Sequence, residues 1–385
     1  MSAPNQPPKP DMIFVNAVRL TAREWLLVLG IVLVFVVLTP WAWKQAERFP
    51  TSPDYRLPYA LSKDYWLYER RLQELPATNT LLLGDSVVWG EYVLPDGTLS
   101  HFLNAEAGQP EAFVNAGVNG LFPLALEGLV EHYGHALRNR KVILHCNVLW
   151  LSSPKADLQT KKEERFNHAR LVPQFSPRIP CYRADASERL GIVLERELPV
   201  LSWVNHLQCV SFNQKSVPDW TLEPGEGDPP SRPNTYKNPL AQITLQVPAA
   251  PVSDPERGPA SARHKPWSTT GEGSTRFDWV ALDTSLQWAA FQRLTKLLRA
   301  RGNDVLVVVG PFNEHMLAEE NRTSYRQLRE GVAGWLREQR VAAVVPEALP
   351  SSLYADASHP LTEGYRVLAE RLYRDPVFQE WRARR

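Results

Sequence analysis

The chain has little cysteine, almost no net charge and few long apolar runs, and each shortage excludes something. Three cysteines, Cys146, Cys181 and Cys209, occur in 385 residues. That is too few for a disulfide-built scaffold. No pair stands at C-x-x-C spacing, so a thioredoxin-like redox motif and a zinc ribbon are both excluded. Cys181 and Cys209 have the option of bridging in an oxidising compartment, although nothing in the sequence requires it. Lys and Arg total 43 against 42 Asp and Glu, a formal net charge of +1. This balance argues against a basic nucleic-acid-binding surface and against an acidic tail. No Gly-x-x-x-x-Gly-Lys-Ser/Thr stretch is present, and Asn115-Ala-Gly117-Val-Asn-Gly120 lacks the three-glycine dinucleotide fingerprint, so nucleotide binding is discounted. Glycine, at 20, is outnumbered by proline, at 33. An ordinary proline share is roughly 5%, so this excess implies long stretches without regular structure.

What is present begins with one apolar run. From Trp25 to Trp43 no residue is charged, with Glu24 closing one side and Lys44 the other. As a helix these residues rise about 28 Å, close to the hydrocarbon thickness of a bilayer. Trp25, Trp41 and Trp43 stand near its ends, where amphipathic rings favour the headgroup level. The preceding segment is long and no small-residue cleavage site follows, so the run reads as an uncleaved anchor over 24–43 rather than a signal peptide or a core helix. Arg19 and Arg23 precede it while Lys44 and Arg48 follow, so charge does not orient it. A tether serves an enzyme least when its substrate is cytosolic and soluble. That places the large domain on the extracytoplasmic side, periplasmic or extracellular, of a cell membrane crossed once.

Around the anchor, residues 1–23 read as a polar tail and 44–75 as an aromatic, charged juxtamembrane linker. From 76 onward short apolar segments alternate with helical ones. Thr80–Leu83, Ala112–Asn115, Lys141–His145, Val305–Val309 and Val341–Val345 read as strands. Leu124–Leu137, Thr284–Arg301, Tyr325–Gln339 and Thr362–Tyr373 carry helical periodicity. Strands apolar on both faces, separated by helices, indicate a mostly parallel sheet covered on two sides. The fold class expected is α/β. Between the halves lies an insertion at about 151–275, whose later part holds eleven prolines between Pro218 and Pro266. Such a segment is irregular, serving as a lid, a partner surface or an unstructured stretch, with Trp203, Trp220 and Trp267 favouring some packing.

Chemistry concentrates where strands end. Gly84-Asp85-Ser86 follows the first strand, at the edge where parallel sheets bind ligands, and sets the Ser86 hydroxyl near a helix start. Asp356-Ala-Ser-His359 precedes the last helix. At that spacing both side chains can enter one cleft, the carboxylate holding Nδ1–H of His359 and leaving Nε2 to take a proton from Ser86. The N–H of Gly117 and the amide of Asn147 could join the Ser86 N–H in receiving an oxyanion. The alternatives are a glycine that gives helix–sheet clearance and an asparagine that satisfies loop backbone. Asn313, Glu314 and His315, after the Val305–Val309 strand, read either as a structural loop or as contacts to a polar acceptor. Glu314 and His315 are adjacent with no spaced third ligand, so no metal is expected there, and no cofactor is indicated elsewhere.

Gly84-Asp85-Ser86, then Asn115-x-Gly117-x-x-Gly120, then the strand-end Asn147, then Asp356-x-x-His359, in this order along the chain, resemble the GDSL family, also called SGNH hydrolases and acyltransferases. The resemblance spans Leu81 to Leu372 and implies a flavodoxin-like three-layer α/β/α sandwich with a Ser–His–Asp triad. By it Ser86 is the nucleophile, His359 the general base and Asp356 its orienting carboxylate, with Ser86, Gly117 and Asn147 as the oxyanion hole. The chain departs where the family has Gly-x-Asn-Asp, since His145-Cys146-Asn147-Val148 stands there. Anchor and later-strand motif together are similar to membrane-anchored proteins of bacterial cell-surface O-acylation. That likeness implies a glycan or polyol acceptor and a multi-span membrane acyltransferase as partner. The expected function is acyl transfer through acyl-Ser86, by ester hydrolysis or O-acetyl transfer. The alternative is a catalytically degenerate scaffold or glycan-binding protein on the same fold.

Overall fold

A computed structural model describes residues 20–49, 54–223, 237–247, 265–270 and 274–384. Most of the polar tail and most of the proline-rich stretch, 224–236 and 248–264, therefore lie outside the described residues. Among the described residues, one helix is long and apolar enough to cross a bilayer, α1, Ala22–Ala46. Its 25 residues reach about 37 Å at the helical rise. Thr21 and Glu24 start it as a reciprocal pair. The Thr21 N–H donates to Glu24 Oε2 at 2.6 Å, and the Glu24 N–H donates to Thr21 Oγ1 at 3.4 Å. The chain thus has a single-pass membrane topology, with a large folded unit from Ala46 onward.

That unit is built on five parallel strands: β1 (Thr80–Leu83), β2 (Phe113–Asn115), β3 (Lys141–Cys146), β4 (Asp304–Val309) and β5 (Ala342–Val344). Their order is β2-β1-β3-β4-β5, the flavodoxin-like arrangement, which opens a topological switch point between β1 and β3. The helices are, in chain order, α2 (Tyr65–Glu74), α3 (Ser86–Trp89), α4 (Leu99–Ala107), α5 (Pro123–Tyr133), α6 (Ala186–Glu197), α7 (Pro199–Ser211), α8 (Val217–Leu222), α9 (Pro239–Gln242), α10 (Trp267–Thr270), α11 (Leu286–Ala300), α12 (Glu319–Glu338), α13 (Thr362–Arg374) and α14 (Pro376–Ala383). Strand alternation sorts the core into two layers. Leu81, Leu83, Val142, Leu144, Val305 and Val307 meet α2, α5, α11 and α12, while Leu82, Ile143, Leu306, Val308 and Val344 meet α3, α4, α13 and α14. This is why the strands are apolar at successive positions: each face of the sheet has a cover.

Three segments differ from the sequence reading. The expected juxtamembrane linker contributes α2, which buries Tyr65, Trp66, Leu67, Tyr68 and Leu72 in the domain. Its charged residues disguise the apolar face in sequence, because Arg70 and Arg71 are themselves buried on partners. Helix α12 begins at Glu319, earlier than the apolar period, since Glu319 and Glu320 suit the positive end of a helix. Helix α14 was not expected; Asp375 caps it, accepting from Val377 and Phe378 N–H, and Pro376 occupies its first turn.

The first part of the insertion is core rather than loop: Leu158, Leu171, Val172, Ile179 and Cys181 are buried in the first layer. At Gly128 of α5 an added Cβ would lie 1.9 Å from the Leu171 carbonyl oxygen, so only glycine permits this approach. Helix α7 is tied to α2 by a fully buried cluster. His206 Nδ1 lies 2.7 Å from Asp64 Oδ2 and Nε2 2.8 Å from Glu47 Oε1, while Arg70 Nη1 donates to Glu47 Oε2 at 2.6 Å. Cys146, Cys181 and Cys209 are all buried free thiols.

Candidate active site

The switch point is where the expected residues collect. β1 ends at Leu83, and Asp85 caps the short helix that Ser86 begins, its Oδ1 accepting the Val87 N–H at 3.0 Å. Asp85 has three further partners: His145 Nδ1 at 3.2 Å, Asn147 Nδ2 at 2.7 Å and Trp150 Nε1 at 2.9 Å. Burial by itself would raise the Asp85 pKa. The charge and hydrogen bond of His145, with the bonds from Asn147 and Trp150, bring it down to about 2. His145 Nε2 faces the Gly310 carbonyl at 3.0 Å, so both ring nitrogens have an oxygen partner. His145 thus braces the carboxylate beside Ser86. A histidine inside an otherwise apolar strand is the sequence signal for it.

From the other side, the turn before α13 delivers His359. Its Nε2 lies 2.8 Å from Ser86 Oγ, across 273 residues of sequence, and its Nδ1 lies 2.8 Å from both carboxylate oxygens of Asp356. Asp356 Oδ1 also accepts the backbone N–H groups of Ser358 and His359, at 2.9 and 3.0 Å. The carboxylate therefore shapes the turn and orients the ring together. Burial opposes charge on Asp356, but the His359 contact and the two N–H groups hold its pKa below the usual carboxylate value. Burial also pulls His359 down; the hydrogen bond and charge of Asp356, aided by Glu91 and Asp85, outweigh this and set it above an ordinary histidine. Tyr92 packs edge-on against the imidazole, with ring centroids 5.3 Å apart.

The other expected residues fall into place differently. The Gly117 N–H donates to Asn115 Oδ1 at 3.0 Å, and an added Cβ there would lie 2.6 Å from the Trp89 nitrogen. Clearance between the loop and α3 accounts for that glycine. Asn147 accepts from the Leu149 N–H at 3.0 Å and spends one amide hydrogen on Asp85; toward Ser358 Oγ it reaches only to 3.5 Å. Asn313 supports the site from behind: its N–H donates to the Ala357 carbonyl at 2.8 Å and its Nδ2 to the Asp356 carbonyl at 3.2 Å. Glu314 pairs with Arg329 at 2.6 Å and His315 Nε2 with the Leu349 carbonyl at 3.0 Å, and both line a separate pocket. No group of three or more His, Cys, Asp or Glu side chains among the described residues is placed to hold a metal.

The sequence matches no family model and no curated protein. The chemistry available must therefore be read from the side chains themselves. A hydroxyl, an imidazole and a carboxylate in hydrogen-bonded sequence form a serine-hydrolase-like arrangement, in which the base can remove the hydroxyl proton as the oxygen attacks. Glu91 stands within 3.3 Å of the same imidazole nitrogen, a residue that no motif singled out.

Proposed function

We propose that this is a membrane-anchored SGNH-type acyl-transfer enzyme, and the 2.8 Å contact between Ser86 Oγ and an Asp356-held His359 carries that reading. His359 Nε2 takes the Ser86 proton as Oγ attacks an ester carbonyl. The tetrahedral intermediate collapses to acyl-Ser86, and the leaving alkoxide receives the proton from His359. Water or a second hydroxyl then gives its proton to His359, attacks the acyl carbonyl and releases Ser86, which is reprotonated. The Ser86 N–H and the second Asn147 amide hydrogen serve the oxyanion; Gly117 joins them only by releasing Asn115. Ester hydrolysis and O-acetyl transfer to a cell-envelope glycan both fit this cycle. In this reading the domain is extracytoplasmic and receives acyl groups from a multi-span membrane acyltransferase.

A second reading is a tethered glycan-binding scaffold, favoured by the engagement of the Gly117 N–H and one Asn147 hydrogen in internal bonds. A fluorophosphonate probe separates the two when applied to the full chain in membranes, with adducts mapped by mass spectrometry. An adduct on Ser86, absent in Ser86→Ala and His359→Ala, is the expected result. A folded chain that takes up no label would favour the scaffold.

A further inference from the structure

Glu91 brings to the site a carboxylate that a serine–histidine–aspartate triad does not require. It follows α3 and the left-handed Gly90, and its N–H donates to the Ser86 carbonyl at 3.0 Å. Its Oε2 lies 3.3 Å from His359 Nε2, the nitrogen that also faces Ser86 Oγ. The Glu91 side chain is 32% exposed against 9% for His359, so the carboxylate forms the solvent-side edge of the buried base. It is also held in place. That N–H bond fixes its backbone, and the adjoining loop is braced where the Asn119 carbonyl accepts from His168 Nε2 at 2.7 Å and His168 Nδ1 accepts from Tyr65 at 3.0 Å. Burial opposes its charge and pushes its pKa up, a cost that a group of no function would avoid by turning outward.

We propose that Glu91 and His359 together receive a vicinal diol, so that the site passes its acyl group to a sugar or polyol hydroxyl in preference to water. The inference rests on acyl-Ser86 as the intermediate. The 3.3 Å between Oε2 and Nε2 is close to the spacing of neighbouring hydroxyl oxygens in a gauche diol. One hydroxyl donates to Nε2, transfers its proton there and forms the new C–O bond to the acyl carbon. The bond to Ser86 Oγ breaks, and Oγ recovers the proton from His359. The second hydroxyl keeps its proton and donates a hydrogen bond to Glu91 Oε2. Water and simple alcohols lack this second arm.

The test uses the full chain in detergent micelles, p-nitrophenyl acetate as donor, and cis-1,2-cyclohexanediol competing with cyclohexanol at equal concentration. A hydrogen bond to a charged acceptor corresponds to about a tenfold preference for the diol. Glu91→Ala is expected to reduce that ratio to the statistical value of two hydroxyls against one, and Glu91→Gln to lie between. Both acceptors share one acyl-enzyme, so changes in overall rate cancel from the ratio. A wild type that shows only the statistical ratio, or a ratio unchanged in both variants, overturns the inference. Failure of the wild type to take a fluorophosphonate on Ser86 overturns the acyl-Ser86 reading, and the inference with it.

Discussion

Replacing Asp85 with Asn tests whether the buried pair beside Ser86 is as strong as its geometry implies. The carboxylate accepts four hydrogen bonds in a buried site, two of them from His145 and Asn147 of the neighbouring strand end. Its pKa moves from 3.8 to about 2 on folding. At 1.36 kcal/mol per unit this corresponds to about 2.5 kcal/mol of stability. Because the folded pKa is the lower one, that stability is complete above pH 3.8 and disappears as pH falls through about 2. The amide variant removes the charge and turns an NH2 toward groups that themselves donate. Breaking a buried pair in this way costs about 3–5 kcal/mol at neutral pH. Urea denaturation of the detergent-solubilised chain reads the difference by tryptophan fluorescence, with Trp150 as a direct partner of Asp85. The gap between wild type and Asp85→Asn should exceed about 3 kcal/mol at pH 7 and shrink by about 2.5 kcal/mol on acidification. A gap under about 1 kcal/mol that does not change with pH would refute the reasoning, since that is the range of an exposed pair.

The buried His206, raised to about 9 by Asp64 and Glu47 against the pull of burial, gives the opposite pH dependence. Its contribution, on the order of 3 kcal/mol, is complete below the ordinary histidine value and is lost as pH rises through about 9, so His206→Gln should flatten the alkaline limb of stability. Ser86 labelling should rise with pH through a pKa above 6.5, set by Asp356, Glu91 and Asp85 against burial, with Tyr92 on the ring's edge. Glu91→Gln should move that limb to lower pH, and an unmoved limb would mean that Glu91 does not act on the base. Gly128→Ala should destabilise the domain by about 3 kcal/mol in a thermal melt, because the new methyl meets the Leu171 carbonyl backbone rather than a side chain that can yield.

The sequence by itself determined whatever depends on neighbours along the chain. The uncharged run after Glu24 implies a membrane helix because its length and composition are local properties. The five strands and the α/β class follow from apolar periods, with Thr80–Leu83 matching to the residue. The spacing of Asp356 and His359 in one turn was likewise legible, since their contact spans only three residues. What the tertiary structure decided is which distant groups share a proton. His145 reaches Asp85 because β1 and β3 are adjacent in the sheet, and Glu91 reaches His359 because Gly90 turns the chain back over α3. A histidine in an apolar strand marks His145 as unusual without naming its partner, and Glu91 carries no signal at all. The same holds for His206, whose partners Glu47 and Asp64 lie in a stretch that reads as linker until α7 covers it. Donor availability also waits on the fold: Asn115 accepts the Gly117 N–H, and Asp85 accepts one of the two Asn147 amide hydrogens. Periodicity and turn chemistry are short-range and can be read along a chain. Hydrogen-bond partnership between buried polar groups is long-range, and packing settles it.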